Sequence, residues 1–186
     1  MKIFSNYLQL IFKLSNICLI ILYLYPGSIL GFFLYNDSLE LLLSNFNNIC
    51  IENDFEKSEV LCLKPKLAHA FQVSCIENPS LTLNNYKALL INCEYLISNT
   101  GKILLSNQQI HHFKLNELPK TLIVTANIKQ LTRDVSEGMT LLKNKYKNTI
   151  PTNITTLKTK PRPAEDKKNL TSTGNTKNIY LLLKDF

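Results

Sequence analysis

Five cysteines and three histidines are the side chains of this sequence best suited to redox, nucleophilic or metal chemistry. Cys18 lies inside a long uncharged run. Cys50, Cys62, Cys75 and Cys93 follow it, and no cysteine occurs later. An even set of four in a small domain on the oxidising side of a membrane suggests two disulfides. Four cysteines allow three pairings, and sequence does not choose among them. Cys75–Cys93 is the first to try, since it would staple a strand to a helix packed on it, a constraint worth about 3 kcal/mol in the chain-entropy model. The competing reading treats Cys75, on one face with Phe71 and Val73, and Cys93, on an apolar stripe, as small buried residues. No Cys-x-x-Cys spacing occurs, which argues against zinc.

The histidines point to less. His111 and His112 are adjacent, and on a strand they would face opposite sides, unable to share one metal. His69 stands by itself. The sequence contains no Gly-x-Ser-x-Gly elbow, no glycine-rich phosphate loop and no His-Glu-x-x-His. Catalytic, cofactor-binding and metal residues are therefore none, no cofactor is expected, and a binding or structural role is favoured over an enzymatic one.

What would position the cysteines is set by the uncharged run from Leu14 to Asn36. As a helix it would extend roughly 34 Å, enough for a hydrocarbon core of about 30 Å. Lys2 and Lys13 precede it, while Asp37, Glu40, Glu52 and Asp54 follow, so the amino terminus is expected in the cytoplasm and the bulk of the chain outside. Tyr25 stands two positions before Gly27, and Ile29 two before Gly31, where a cleavage site needs small residues. The expectation is thus a single-pass membrane protein with an uncleaved signal anchor and a small extracytoplasmic domain. The alternative is a secreted effector or hydrolase released by signal cleavage. Gly27 and Gly31 have the spacing of a helix–helix contact, which suggests a weak homodimer or a protein partner besides membrane lipid. The stretch YPGSILGFFLYND, Tyr25 to Asp37, resembles the first membrane helix of VanZ-like membrane proteins.

The formal charge is +7. Residues 147–178 hold seven basic and two acidic residues, a surplus of five, so most of the charge belongs to a tail and not to a domain face. No nucleic-acid partner is expected. Asn36-Asp37-Ser38, Asn153-Ile154-Thr155 and Asn169-Leu170-Thr171 fit the glycosylation acceptor pattern.

The remaining boundaries follow from periodicity. Residues 1–13 are a cytoplasmic start, 14–36 the anchor, 37–57 a juxtamembrane helix and linker with Ser38 as cap, and 58–146 an α+β domain. Within that domain strands are expected over 59–63, 67–76, 102–106, 109–115 and 120–126. One helix is expected over 83–97, where apolar residues recur every three or four positions. A second should begin at Asn127, capped with Gln130 and carrying Ile128, Leu131, Val135, Met139, Leu142 and Tyr146 on one stripe. The order predicts a small, mostly antiparallel sheet with both helices on one face. Residues 147–178, rich in Lys and Thr and broken by Pro161 and Pro163, predict a disordered tail, followed by an apolar segment at 179–186.

Overall fold

The run Ala88–Asn92 is apolar at consecutive positions, the pattern of a strand covered on both faces. In the computed structural model, which describes residues 32–76, 83–158 and 177–186, it is strand β4. On one side it pairs with β2 (Val60–Cys62), on the other with β7 (Thr121–Asn127). Edge strand β3 (Ser74–Cys75) lies beyond β2. Beyond β7 lie β10 (Asn178–Lys184) and then β1 (Phe32–Asn36). This six-stranded sheet, in order β1-β10-β7-β4-β2-β3, is parallel at every pairing.

Two helices cover one face. Helix α1 (Leu39–Glu52) starts at Ser38, whose hydroxyl accepts the Leu41 amide. Helix α2 (Pro65–Phe71) carries its proline in the first turn, where a missing N–H costs nothing. Phe46 of α1 meets Phe71 of α2 edge-to-face, with centroids 4.9 Å apart, over Leu90, Ile123 and Leu182 of the sheet.

The other face is covered by a second sheet. Strands β8 (Leu131–Thr132), β5 (Tyr95–Ile97), β6 (Lys102–Leu105) and β9 (Thr155–Lys158) lie in that order and mix parallel and antiparallel pairings. Leu96, Ile103 and Leu105 meet Leu89, Ile91, Leu122 and Val124 of the large sheet. A short helix, α3 (Asn107–Ile110), follows β6, and α4 (Val135–Lys145) closes the outer side through Leu142 on Ile97 and Leu104. The order of layers is helices, parallel sheet, mixed sheet, helix.

Gly138 sits in α4 where a Cβ would stand 3.0 Å from Ile97 Cδ1 and 3.4 Å from Thr132 Oγ1. The close approach of helix to sheet explains a glycine that helix propensity alone disfavours by about 1 kcal/mol. Gly138→Val is expected to destabilise by about 1–3 kcal/mol through overpacking, read from urea unfolding midpoints at unchanged slope.

Several sequence expectations are corrected. The expected mostly antiparallel α+β domain is replaced by an α/β fold on a parallel sheet. Its 83–97 helix is β4 and β5, because Leu89 and Ile91 face the second sheet while Ala88 and Leu90 face the helices. Both faces being apolar, the run shows helical intervals without helical geometry. The expected strand over 67–76 is α2 as far as Phe71 and a strand only at Ser74–Cys75, and that over 109–115 includes the end of α3 and a turn. His111 in that turn holds a left-handed φ of 51°.

Asn127 and Gln130 do form a capping box, but around a single 3-10 turn; α4 begins later, after Asp134. The strands expected near 59–63, 102–106 and 120–126 are present as β2, β6 and β7. The first part of the expected disordered tail, 147–158, contains β9, which pairs with β6 and buries Leu157, while residues 159–176 lie outside the described residues. The apolar end is an interior strand of the parallel sheet.

The expected anchor over 14–36 is corrected at its carboxyl end, while residues 14–31 lie outside the described residues. Its last five residues, Phe32–Asn36, are β1, so the span does not continue as one helix into α1. No helix among the described residues is long and apolar enough to cross a membrane. Cys18, Gly27, Gly31 and the expected helix–helix contact lie outside the described residues. Asn36 is fully buried and its side chain donates to the Leu34 and Leu183 carbonyls, which removes it as a glycosylation acceptor.

Candidate functional site

From β2 the chain passes to β3 on one side and then to β4 on the other, so the strand order reverses at β2. In open parallel sheets such a reversal leaves a crevice outside the carboxyl ends of the diverging strands, where ligands bind. Two residues past each strand end stands a charge: Lys64 after β2 and Glu94 after β4.

Glu94 is 1% exposed. Its carboxylate accepts hydrogen bonds from Ser106 Oγ at 2.8 Å, Gln109 Nε2 at 2.9 Å, Lys145 Nζ at 2.8 Å and the Tyr146 hydroxyl at 3.1 Å. These donors come from three places. Ser106 follows β6 and caps α3, Gln109 completes that capping box, and Lys145 and Tyr146 end α4. The bend after β4 is pinned by Gln130 Nε2, which donates to the carbonyls of Cys93 (2.7 Å) and Glu94 (3.0 Å).

Burial by itself would raise the Glu94 carboxyl. The bonds from Lys145, Gln109 and Ser106, with the Lys145 charge, outweigh it and hold the group below its ordinary value. The Lys145 ammonium is desolvated, yet its bond to Glu94 and that carboxylate's charge raise it overall. The pair is therefore ionised at neutral pH. With four donors on its two oxygens, Glu94 is an anchor for Lys145 and not a poised base.

Lys64 differs. It is half-buried, and burial lowers its ammonium despite an opposing contribution from Glu94; Lys145 repels it. Its ammonium has no hydrogen bond or ion pair among the described residues. Two lysines thus share one carboxylate, leaving a surplus of positive charge at the rim. Beside it Asn92, the last residue of β4, keeps a buried side-chain oxygen without a donor among the described residues.

The family profile described as the LUD domain matches residues 75–183, more than half of the sequence. The chain belongs to the LUD domain family. The matched segment carries Glu94, Ser106, Gln109, Lys145 and Tyr146, while Lys64 precedes it. A similar solved structure is a DUF162-family protein from Deinococcus radiodurans, with a TM-score of 0.59 and 15% identity over 89% of this chain and 92% of that one. At that identity the likeness concerns the fold. Family and fold both stand against the expected mostly antiparallel architecture. No curated protein matches the sequence.

The residues that sequence singled out are scattered over this LUD domain. Cys50, Cys62 and Cys93 are buried thiols, Cys75 is exposed, and no disulfide joins them. The expected Cys75–Cys93 bridge is not formed. Cys62, the register partner of Cys75, lies in the core under the helices, and Cys93 lies in the core between the sheets, so the parallel sheet separates them. Burial pushes the Cys93 thiol up to about 12.

His69 is exposed on α2, His112 stacks on Phe113 at 4.4 Å, and the His111 carbonyl accepts from Asn153. No group of metal-binding side chains occurs among the described residues. Sequence reasoning missed Lys64, Glu94 and Lys145. A charge directly after the apolar run ALLINC and the Ser106-x-x-Gln109 capping box were the available signals.

Proposed function

We propose that this LUD domain binds a small anionic molecule, one bearing a phosphate or carboxylate, at the rim between the ends of β2 and β4. The observation that carries this reading is Lys64: a half-buried ammonium, desolvated and without a protein partner among the described residues, facing Lys145 and Glu94. Leaving a cation partly dehydrated costs free energy, which an anion would return as charge-assisted hydrogen bonds. Glu94 holds Lys145 at the same rim and, being saturated, repels the ligand less than an open carboxylate would. The Asn92 oxygen offers an acceptor for a hydroxyl or amine on the same ligand.

The test is a thermal-shift and calorimetry series with inorganic phosphate, pyrophosphate, nucleotides and small dicarboxylates against neutral analogues. An anionic ligand should raise the melting temperature in proportion to the logarithm of its concentration. Lys64→Met should weaken that ligand by about 10–100-fold, the loss of one charge-assisted bond of about 1.5–3 kcal/mol, without lowering the unliganded melting temperature. Equal binding by Lys64→Met, or no preference for anions over neutral analogues, would remove the reading.

A further inference from the structure

Strands β2 and β3 pair in parallel with Leu61 opposite Ser74 and Cys62 opposite Cys75. Register partners on adjacent parallel strands project to the same face, and their backbones stand about 4.7–4.9 Å apart. That spacing falls inside the Cα window of about 4.4–6.8 Å that a disulfide spans. Cys75 is exposed and Cys62 is 1% exposed, so one sulfur meets solvent and the other lies behind it. A negative charge on either is felt by the other. Strand β3 is two residues long and has one strand neighbour among the described residues, which lets it shift to complete a bond.

We infer that Cys62 and Cys75 are a redox modification site, a dithiol that a hydroperoxide converts to a disulfide tying edge strand β3 to β2. In the first step the Cys75 thiolate attacks one peroxide oxygen, the O–O bond breaks, and the leaving hydroxide takes up a proton to become water. Cys75 is then a sulfenic acid. In the second step the sulfur of Cys62 attacks that of Cys75, the S–O bond breaks, and the departing hydroxide leaves as water with the Cys62 proton. Overall two thiols lose two electrons and two protons, and one hydrogen peroxide becomes two waters. The order is fixed by access. Burial pushes the Cys62 thiol up to about 11, and it donates to the Lys64 carbonyl at 3.4 Å, so Cys62 is the resolving partner and not the peroxide-facing one.

The experiment treats the full chain with hydrogen peroxide, blocks remaining thiols by alkylation, and maps peptides without reductant. The expected result is a linked Cys62–Cys75 peptide pair as the dominant oxidised form of Cys75, removed by dithiothreitol. Cys75→Ser, at an exposed position, should keep the thermal transition and leave Cys62 as an alkylatable thiol after peroxide. Accumulation of Cys75 sulfinic acid with Cys62 still reduced would overturn the inference. So would a bridge between Cys62 and Cys50, the other cysteine under the helices.

Discussion

Truncation after Lys177, which removes β10 and the two residues beyond it, is expected to abolish cooperative unfolding. Strand β10 lies between β1 and β7, pairing with β7 along its whole length and with β1 from Tyr180 to Lys184. Its Ile179, Tyr180, Leu182 and Leu183 are each 3% exposed or less, and they supply both cores of the parallel sheet. Burying each contributes about 1.5–3 kcal/mol, so four together match the whole stability of about 5–15 kcal/mol of a typical domain. The truncated chain also leaves β7 with an open apolar edge and β1 with no strand to pair with. Circular dichroism against temperature should show a sloping trace with no sigmoid, accompanied by aggregation. Truncation after Lys184 is the control. It removes an exposed bond from Tyr35 to Asp185 and one from Asn127 to Phe186, and should cost about 1 kcal/mol. A sharp transition in the longer deletion, within a few degrees of the full chain, would mean that β10 is dispensable.

Glu94→Ala is expected to lower the melting temperature by roughly 6–12 °C, from a loss of about 3 kcal/mol in a chain of this size. The loss comes from donors stranded in a buried site: Ser106, Gln109 and Tyr146 lose their shared acceptor, and Lys145 loses its counter-ion. Lys145 is half exposed and recovers water, which keeps the cost at the lower end for a broken buried pair. Glu94→Gln preserves the volume and one acceptor, so about half the effect should remain.

The same residue sets a pH dependence. The folded carboxyl lies below its ordinary value of 4.5, so its stabilisation is fully present above that pH and is lost as pH falls through the folded value. The gap in melting temperature between the native chain and Glu94→Gln should be flat from pH 7 to about 5 and narrow below about 4.5. A gap that widens on acidification would mean that the carboxyl is raised and not lowered.

The sequence by itself determined the local elements whose chemistry is carried by neighbours. Ser38 caps α1, Asn127 and Gln130 form a capping box (though around a turn and not the expected helix), and the β-branched run Thr121–Asn127 is a strand, because each depends on residues a few positions apart. It misjudged elements buried on two sides. Ala88–Asn92 has no polar face, and periodicity then carries no information about helix or strand. The uncharged run ending at Asn36 predicts a single span for the same reason, since its last five residues, strand β1 beside β10, are as apolar as a membrane helix. Nothing local in Asn178–Lys184 says that it inserts between the first and the seventh strand; Tyr180 pairs with Phe32, 148 positions away, and Asn178 with Thr121, 57 positions away, contacts that only the assembled parallel sheet makes. The rim was hidden likewise. Lys64, Glu94 and Lys145 are far apart in sequence, and only the reversal of strand order at β2, with the α4 terminus folded over it, brings their charges together.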